Sequence, residues 1–437
     1  MSSASSRAVR VTVTVAVAAV ALVLVGGIVG RISGPSPVSA RAADQATTVD
    51  RLEQSITRAQ DRLRRVPGDW RTWAGLGMAY LERARVTTDP VWYAKAEDAV
   101  RQSLRVHPKG NTEGLTARGA LANARHDFGA ARTDALAAVT SNQYYSEAYA
   151  VLADAETQLG NVKAATAAVQ RLLDLRPGLP AYARASYDLE LRGRTDQARD
   201  LMAQALAAAV DRYDIAFCRT QLGDLAFNAG DLARADLEYT AGLAADPSSI
   251  TLQRGRARVA AARGRMDQAL ADYAVITRRS PTPSHLLEYA ELLRAAGRDA
   301  STPLNLAAAA HELFRANGGI DGLTGAALAW ATGDPARALA EARAEWSRRR
   351  HVDVADTLAW SLHLSGKDTE ALRYARRAHS SGARSAVYAY HLGMIEKSLG
   401  SVEPARRHLR EALAINPYFS PVDASLARQA LTELDSR

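Results

Sequence analysis

Nine histidines, one cysteine and 47 carboxylates are the side chains of this 437-residue chain that could hold a metal or attack a bond. None stands in a pattern that such chemistry needs. A zinc-hydrolase helix carries HExxH, which puts two imidazoles on one face with a general base between them. That motif does not occur, and neither His311, beside Glu312, nor His391 has a partner at ligand spacing. HPKGNTEG (His107–Gly114) lacks the spacing of a phosphate-cradling loop, no GxGxxG follows a strand, and there is no GxSxG. Cys218, being single, can form neither an internal disulfide nor a cysteine-paired zinc site. Asp353 and Asp356 read as helix-start charges. No catalytic activity, cofactor or metal is expected, and binding is what remains.

The elements that would present a binding surface are helices. Apolar residues make up 47% and aromatics only 6%, with alanine, leucine, arginine and glutamate abundant and no strand-like alternation. The formal net charge of +8 comes from interspersed rather than blocked charges. Such a balance allows nucleic acid, anionic lipid or acidic proteins as partners, and a solvated arginine surface explains it as well.

The N-terminus has its own chemistry. Residues 1–10 form a short tail carrying Arg7 and Arg10. Val11 to Gly30 is uncharged, and Arg31 follows it. Twenty helical residues reach about 30 Å, the thickness of a bilayer's hydrocarbon core. A single transmembrane helix with the body outside the cytoplasm is expected. The rival is a cleaved signal peptide, with small residues at Val38-Ser39-Ala40 and Ala40-Arg41-Ala42. Residues 31–44 form a linker, Pro/Ser-rich from Ser33 to Ala40.

The body repeats. Glycines recur at 160, 193, 230, 264, 297, 333, 366 and 400, in steps of 33 to 37 residues. Seven residues before each stands a small residue: Ala153, Ser186, Gly223, Ala257, Ala290, Ala326, Ala359 and Gly393. Five after stands alanine at 165, 198, 235, 269, 338, 371 and 405, with Thr302 the exception. Pro177, Pro247, Pro281 and Pro417 lie 17 after. The glycine ends a first helix in a left-handed conformation, the small residues let a second helix lie close, and the proline stops it.

These residues resemble the tetratricopeptide repeat family. The fullest copies are Leu222-Gly223, Gly230, Ala235, Tyr239 and Pro247, and Leu392-Gly393, Gly400, Ala405, Leu409 and Pro417; Trp73, Leu76, Gly77 and Tyr80 match near the start. The resemblance implies an all-α fold, an α-solenoid built as a right-handed superhelix of helix hairpins. About ten repeats are expected over 69–418, with a capping helix over 45–66 and a C-terminal cap helix over 419–437. Leu52, Ile56, Ala59 and Leu63 give the first cap one apolar face.

The resemblance also implies that first helices line a concave groove for a protein or peptide. Its candidate residues fall into three groups: Tyr187 and Phe227 beside Asp154, Glu190 and Asp224; Arg254, Arg258 and Arg294 with Glu291; and Leu323, Trp330, Trp360, His363, Tyr390 and Met394. The last group suits a peptide anchor, and it equally suits packing between neighbouring helices. The paired Lys and Asn with which some family members grip a C-terminal carboxylate are absent. Arg348, Arg349, Arg350, Arg376, Arg377, Arg406, Arg407 and Arg410 belong to second helices or their ends and are expected on the convex face. There they could meet an anionic polymer or nucleic acid. Nothing in the sequence specifies a homo-oligomer.

Overall fold

The structure, a computed structural model, describes residues 48–436. The segment Val11 to Gly30 lies outside the described residues. No helix among the described residues is long and apolar enough to cross a membrane.

The described residues form 22 α-helices and no strand. A leading helix, α1 (Thr48–Arg65), is followed by ten pairs. They are α2 (Trp70–Thr87) with α3 (Trp92–Val106), α4 (Thr112–Ala124) with α5 (Phe128–Ser141), α6 (Ser146–Leu159) with α7 (Val162–Leu175), α8 (Leu179–Glu190) with α9 (Thr195–Ala207), and α10 (Arg212–Asn228) with α11 (Leu232–Ala245). The second five are α12 (Ile250–Ala262) with α13 (Met266–Arg279), α14 (Pro283–Ala295) with α15 (Ser301–Ala316), α16 (Gly322–Thr332) with α17 (Pro335–Arg348), α18 (Val352–Leu364) with α19 (Asp368–His379), and α20 (Ala386–Ser398) with α21 (Val402–Ile415). A trailing helix, α22 (Asp423–Asp435), closes the array.

Each boundary has a local cause. All eight recurring glycines are left-handed, with φ between 68° and 80°. At Gly230 the chain makes both bonds of a Schellman turn, Asp231 N–H to the Ala226 carbonyl and Gly230 N–H to the Phe227 carbonyl, each 2.9 Å. Asp231 then caps α11 by accepting from the Arg234 amide at 2.9 Å. The small residues on either side are buried, as Ala257, Ala326 and Ala338 show at 0% exposure. In α8 the small residue is Ser186, whose hydroxyl donates to the Ala198 carbonyl on α9 at 2.7 Å. A Cβ at Gly223 would strike the Tyr239 ring. Small residues are therefore what bring the two axes of a pair together.

The array is coiled so tightly that successive superhelical turns touch. Arg125 accepts a backbone bond from Ile320 at 2.9 Å, and its Nε donates to the Asn317 carbonyl. Leu159 accepts one from Arg350 at 3.1 Å, Arg192 and Gly193 abut Gly382, and Asn416 Nδ2 donates to the Phe227 carbonyl at 2.9 Å. In the Arg125–Asn317, Arg349–Gln158 and Asn416–Phe227 side-chain bonds the partners are 189 to 192 residues apart. The turn inside each of the second to fifth pairs thus rests on the connection that follows the pair five places later. His126, which replaces glycine in the second pair, takes φ of 61° in this seam. Its carbonyl accepts from Arg348 Nη1, and its ring stacks on Phe128 and tilts against Phe314.

The seam redistributes the arginine run. Arg349, expected on the convex face, is 4% exposed; it holds Glu345 on one side and Gln158 Oε1, at 2.6 Å, on the other, with its guanidinium over the Phe128 ring. Arg348 also points into the seam. Arg350 alone of the three stays exposed.

Candidate functional site

First helices carry the residues assigned to a groove, and the coil folds most of them inward. Trp330 and Trp360 are 5% and 4% exposed. Trp330 Nε1 donates to Ser361 Oγ at 3.1 Å, and Trp360 stacks on His391 with ring centroids 4.1 Å apart. Leu323 and Tyr390 are buried as well, Tyr390 against Phe419. His363 is tied to Asp368 at 2.5 Å, and Met394 is half-buried against the core. These side chains fill the space between helices and present no open aromatic pocket. Arg294 reaches the Ala331 carbonyl at the next first helix.

The early and middle candidates come together. Arg254 makes a two-bonded pair with Glu288, at 2.8 and 2.6 Å, and Tyr273 donates to the same carboxylate at 2.6 Å. Burial works against the charged form of Glu288, yet Arg254, Arg258 and the Tyr273 hydroxyl hold its carboxyl down at about 2. One first helix back, on α10, Asp224 accepts from Tyr239 at 2.6 Å and from Arg258 at 3.2 Å, while the Arg258 guanidinium lies 4.0 Å over the Phe227 ring. Tyr187 faces Glu190 and Asp353; burial first, then these carboxylates, push its hydroxyl well above the ordinary range.

Beside this network is a cavity of about 290 Å³. Phe227, Arg258, Glu288, Glu291 and Leu292 form one wall, and Tyr418, Phe419 and Ser420 form the other, with Arg428 at α22. The second wall comes from the connection after the tenth pair, so the cavity lies where two turns meet. Glu291 accepts from Ser420 Oγ at 2.7 Å. Burial, then the Asp423 charge, raise its carboxyl to about 8; burial likewise raises Asp423 to about 7. Arg428 is exposed and donates to the Pro417 carbonyl at 2.7 Å.

Sequence reasoning found Phe227, Arg258 and Glu291 of this cavity but none of its second wall. Only Pro417 there carried a repeat signal, and it marked the end of a helix. On the outer face a different cluster forms. Arg350 and Arg377 lie over the Trp346 ring at 4.5 and 5.1 Å, and Arg373 over Tyr374 at 4.7 Å. With Arg376 they bound a groove of about 670 Å³. Among the described residues these four arginines have no acidic partner.

No known protein family matches the chain, and no curated protein does. Solved structures do. A tetratricopeptide repeat protein from Parabacteroides merdae ATCC 43184 is 18% identical, over 59% of this chain and 99% of that one, with a TM-score of 0.36. The APC/C hetero-tetramer Cut9-Hcn1 gives 12%, 89%, 96% and 0.40 for the same quantities. A thermophilic TPR protein in Thermus thermophilus gives 20%, 42%, 97% and 0.36.

Proposed function

We propose that the chain is a non-catalytic scaffold that captures a segment of another protein in the cavity between its two superhelical turns. The observation that carries this is the cavity's lining. Phe227, Leu292 and Phe419 offer apolar surface on both walls, and Arg428 offers a cation at its edge beside the Arg258–Asp224 pair. A volume of about 290 Å³ takes one or two side chains. The occupant that fits is an apolar or aromatic side chain beside an acidic one. Val11 to Gly30 anchors the scaffold in the membrane with its body outside the cytoplasm, or exports it after cleavage; N-terminal sequencing of the mature protein distinguishes the two.

The test is proximity labelling in the native host with the intact protein, with Ala262→Trp, which fills the cavity, and with Arg428→Glu, which reverses charge at its rim. Loss of the same neighbours from both variants, with helicity unchanged, is the expected result. Identical neighbour sets from all three proteins would reject the cavity as the site.

The groove at Trp346 favours a second reading, capture of an anionic polymer by Arg350, Arg373, Arg376 and Arg377. Polymer capture must weaken steeply between low and moderate salt, because bound arginines release counterions. Cavity capture combines apolar contact with one or two charge contacts at the rim, so it weakens over that range by far less than a polymer bound through four arginines.

A further inference from the structure

Three side chains that the repeat pattern does not connect converge on the second helices of the last two pairs. His379 ends α19, His408 and Glu411 sit three residues apart on α21, and one ligand atom from each lies within 4.8 Å of the other two. Residues three apart on a helix share a face, so His408 and Glu411 point the same way by construction. His379 Nε2 stands 3.1 Å from both Glu411 oxygens, and the His379 and His408 rings are 5.0 Å apart, edge to face.

The fourth member explains why this is more than an ion pair. His408 Nδ1 is 2.6 Å from Oε2 of Glu396, a buried carboxylate on α20. An ionised carboxylate only accepts, so Nδ1 is the nitrogen that carries the proton, and in the neutral imidazole the lone pair is then on Nε2. A buried carboxylate fixing the far nitrogen of an imidazole is the arrangement that orients and strengthens histidine ligands in metal sites. With Nδ1 held by Glu396, Nε2 is the nitrogen of His408 left to act as a ligand beside His379 and Glu411. Those two residues are partly exposed, which gives a cation a way in.

We propose that His379, His408 and Glu411 bind one borderline divalent cation of the zinc class, with Glu396 as the positioning residue behind His408. Two imidazoles and a carboxylate are a nitrogen-rich set that suits Zn²⁺ or Ni²⁺ over Mg²⁺ or Ca²⁺. Three protein ligands leave a fourth position for water. The cation clips the end of α19 to α21, adjacent second helices, just before the Gly382 connection that abuts Gly193 across the seam. Spacing in the sequence hides the site because its residues come from three helices.

The experiment is titration of the full-length, chelator-stripped protein with Zn²⁺ alone, followed by calorimetry and by zinc X-ray absorption. One ion per chain, a first shell containing two imidazoles, and a rise in unfolding temperature are expected. His379→Ala and Glu411→Gln, both at partly exposed positions, should each weaken binding at least tenfold. Glu396→Gln should weaken it roughly 10- to 100-fold while the two-imidazole shell persists. No saturable uptake, or uptake unaffected by both His379→Ala and Glu411→Gln, would overturn the proposal. Full affinity in Glu396→Gln would remove Glu396 from it.

Discussion

The tightest test of the touching turns is a single methyl group at Gly160. A Cβ there would lie 2.5 Å from the Arg350 carbonyl oxygen and 2.7 Å from its carbon, and φ is +80°. Gly333 has nearly the same φ, +76°, but nothing within 4 Å of the same added atom. Both Gly→Ala substitutions carry the left-handed cost of an L-residue, about 1–2 kcal/mol. Only Gly160→Ala must also push the backbone at Arg350 away. That breaks the Arg350 N–H bond to the Leu159 carbonyl, worth about 1 kcal/mol, and loosens the buried Arg349–Gln158 bond, worth about 1.5–3 kcal/mol because it is charge-assisted. The excess over Gly333→Ala is therefore about 2–4 kcal/mol. Native-state amide exchange reads it at the Arg350 amide, where protection should fall roughly 30- to 800-fold further in Gly160→Ala than in Gly333→Ala. Small-angle scattering should show a longer particle for the first variant alone. Equal protection at Arg350 and equal dimensions in the two variants would refute the claim that the seam is closed in solution.

Other outcomes follow from the buried charges and the cavity. Glu288→Gln strips Arg254 of its counter-charge in a mostly buried pair and should destabilise by about 3 kcal/mol in urea, whereas Arg254→Met with Glu288→Met should recover most of the loss. Glu291 and Asp423 titrate at about 8 and 7 rather than 4.5 and 3.8. The folded chain therefore holds protons that the unfolded chain has released, so stability is greatest below about pH 4, falls progressively as pH rises, and the loss is complete once pH has passed 7 to 8. The slope should approach about 1.4 kcal/mol per pH unit for each group, and Glu291→Gln should flatten it in denaturation midpoints taken from pH 5 to 8. Glu288, held at about 2, does not titrate in that window. Arg373→Glu with Arg377→Glu should abolish any salt-sensitive retention on an anionic column beyond the loss owed to net charge, while leaving cavity capture intact.

The helices were legible because each carries its own punctuation. Glycine at a left-handed position, small residues seven before and five after, and proline beyond the second helix are short-range requirements, and short-range requirements leave a mark at fixed spacing. Even the departure at α15 was visible, as Thr302 in place of the recurring alanine. The closure of the coil left no such mark. It depends on the small rotation between consecutive pairs, accumulated over five of them, and on connections such as 317–320 and 349–351 that follow no pattern. The groove candidates were consequently identified by position but not by exposure. Trp330 and Trp360 occupy first-helix positions, yet the next first helix covers them. Phe227 and Arg258 occupy equivalent positions and border a cavity because chain from the other turn stands off from them.

That last difference ties binding to the coil. The wall formed by Tyr418, Phe419 and Ser420 belongs to the connection after α21, and Asn416 in the same connection bonds to the Phe227 carbonyl of α10. An occupant of the cavity touches both turns at once. By linkage, whatever it gains from the closed coil it returns as stabilisation of the seam, and anything that opens the seam lowers its affinity by the same factor. Gly193→Ala disturbs the seam at Gly382 and touches no cavity residue. It should therefore weaken capture of the partner while leaving every contact side chain in place, and the partner should in turn slow exchange at the Arg350 and Ile320 amides. Slowing at those amides without any effect of Gly193→Ala on capture would break the reciprocity and place the partner elsewhere on the array.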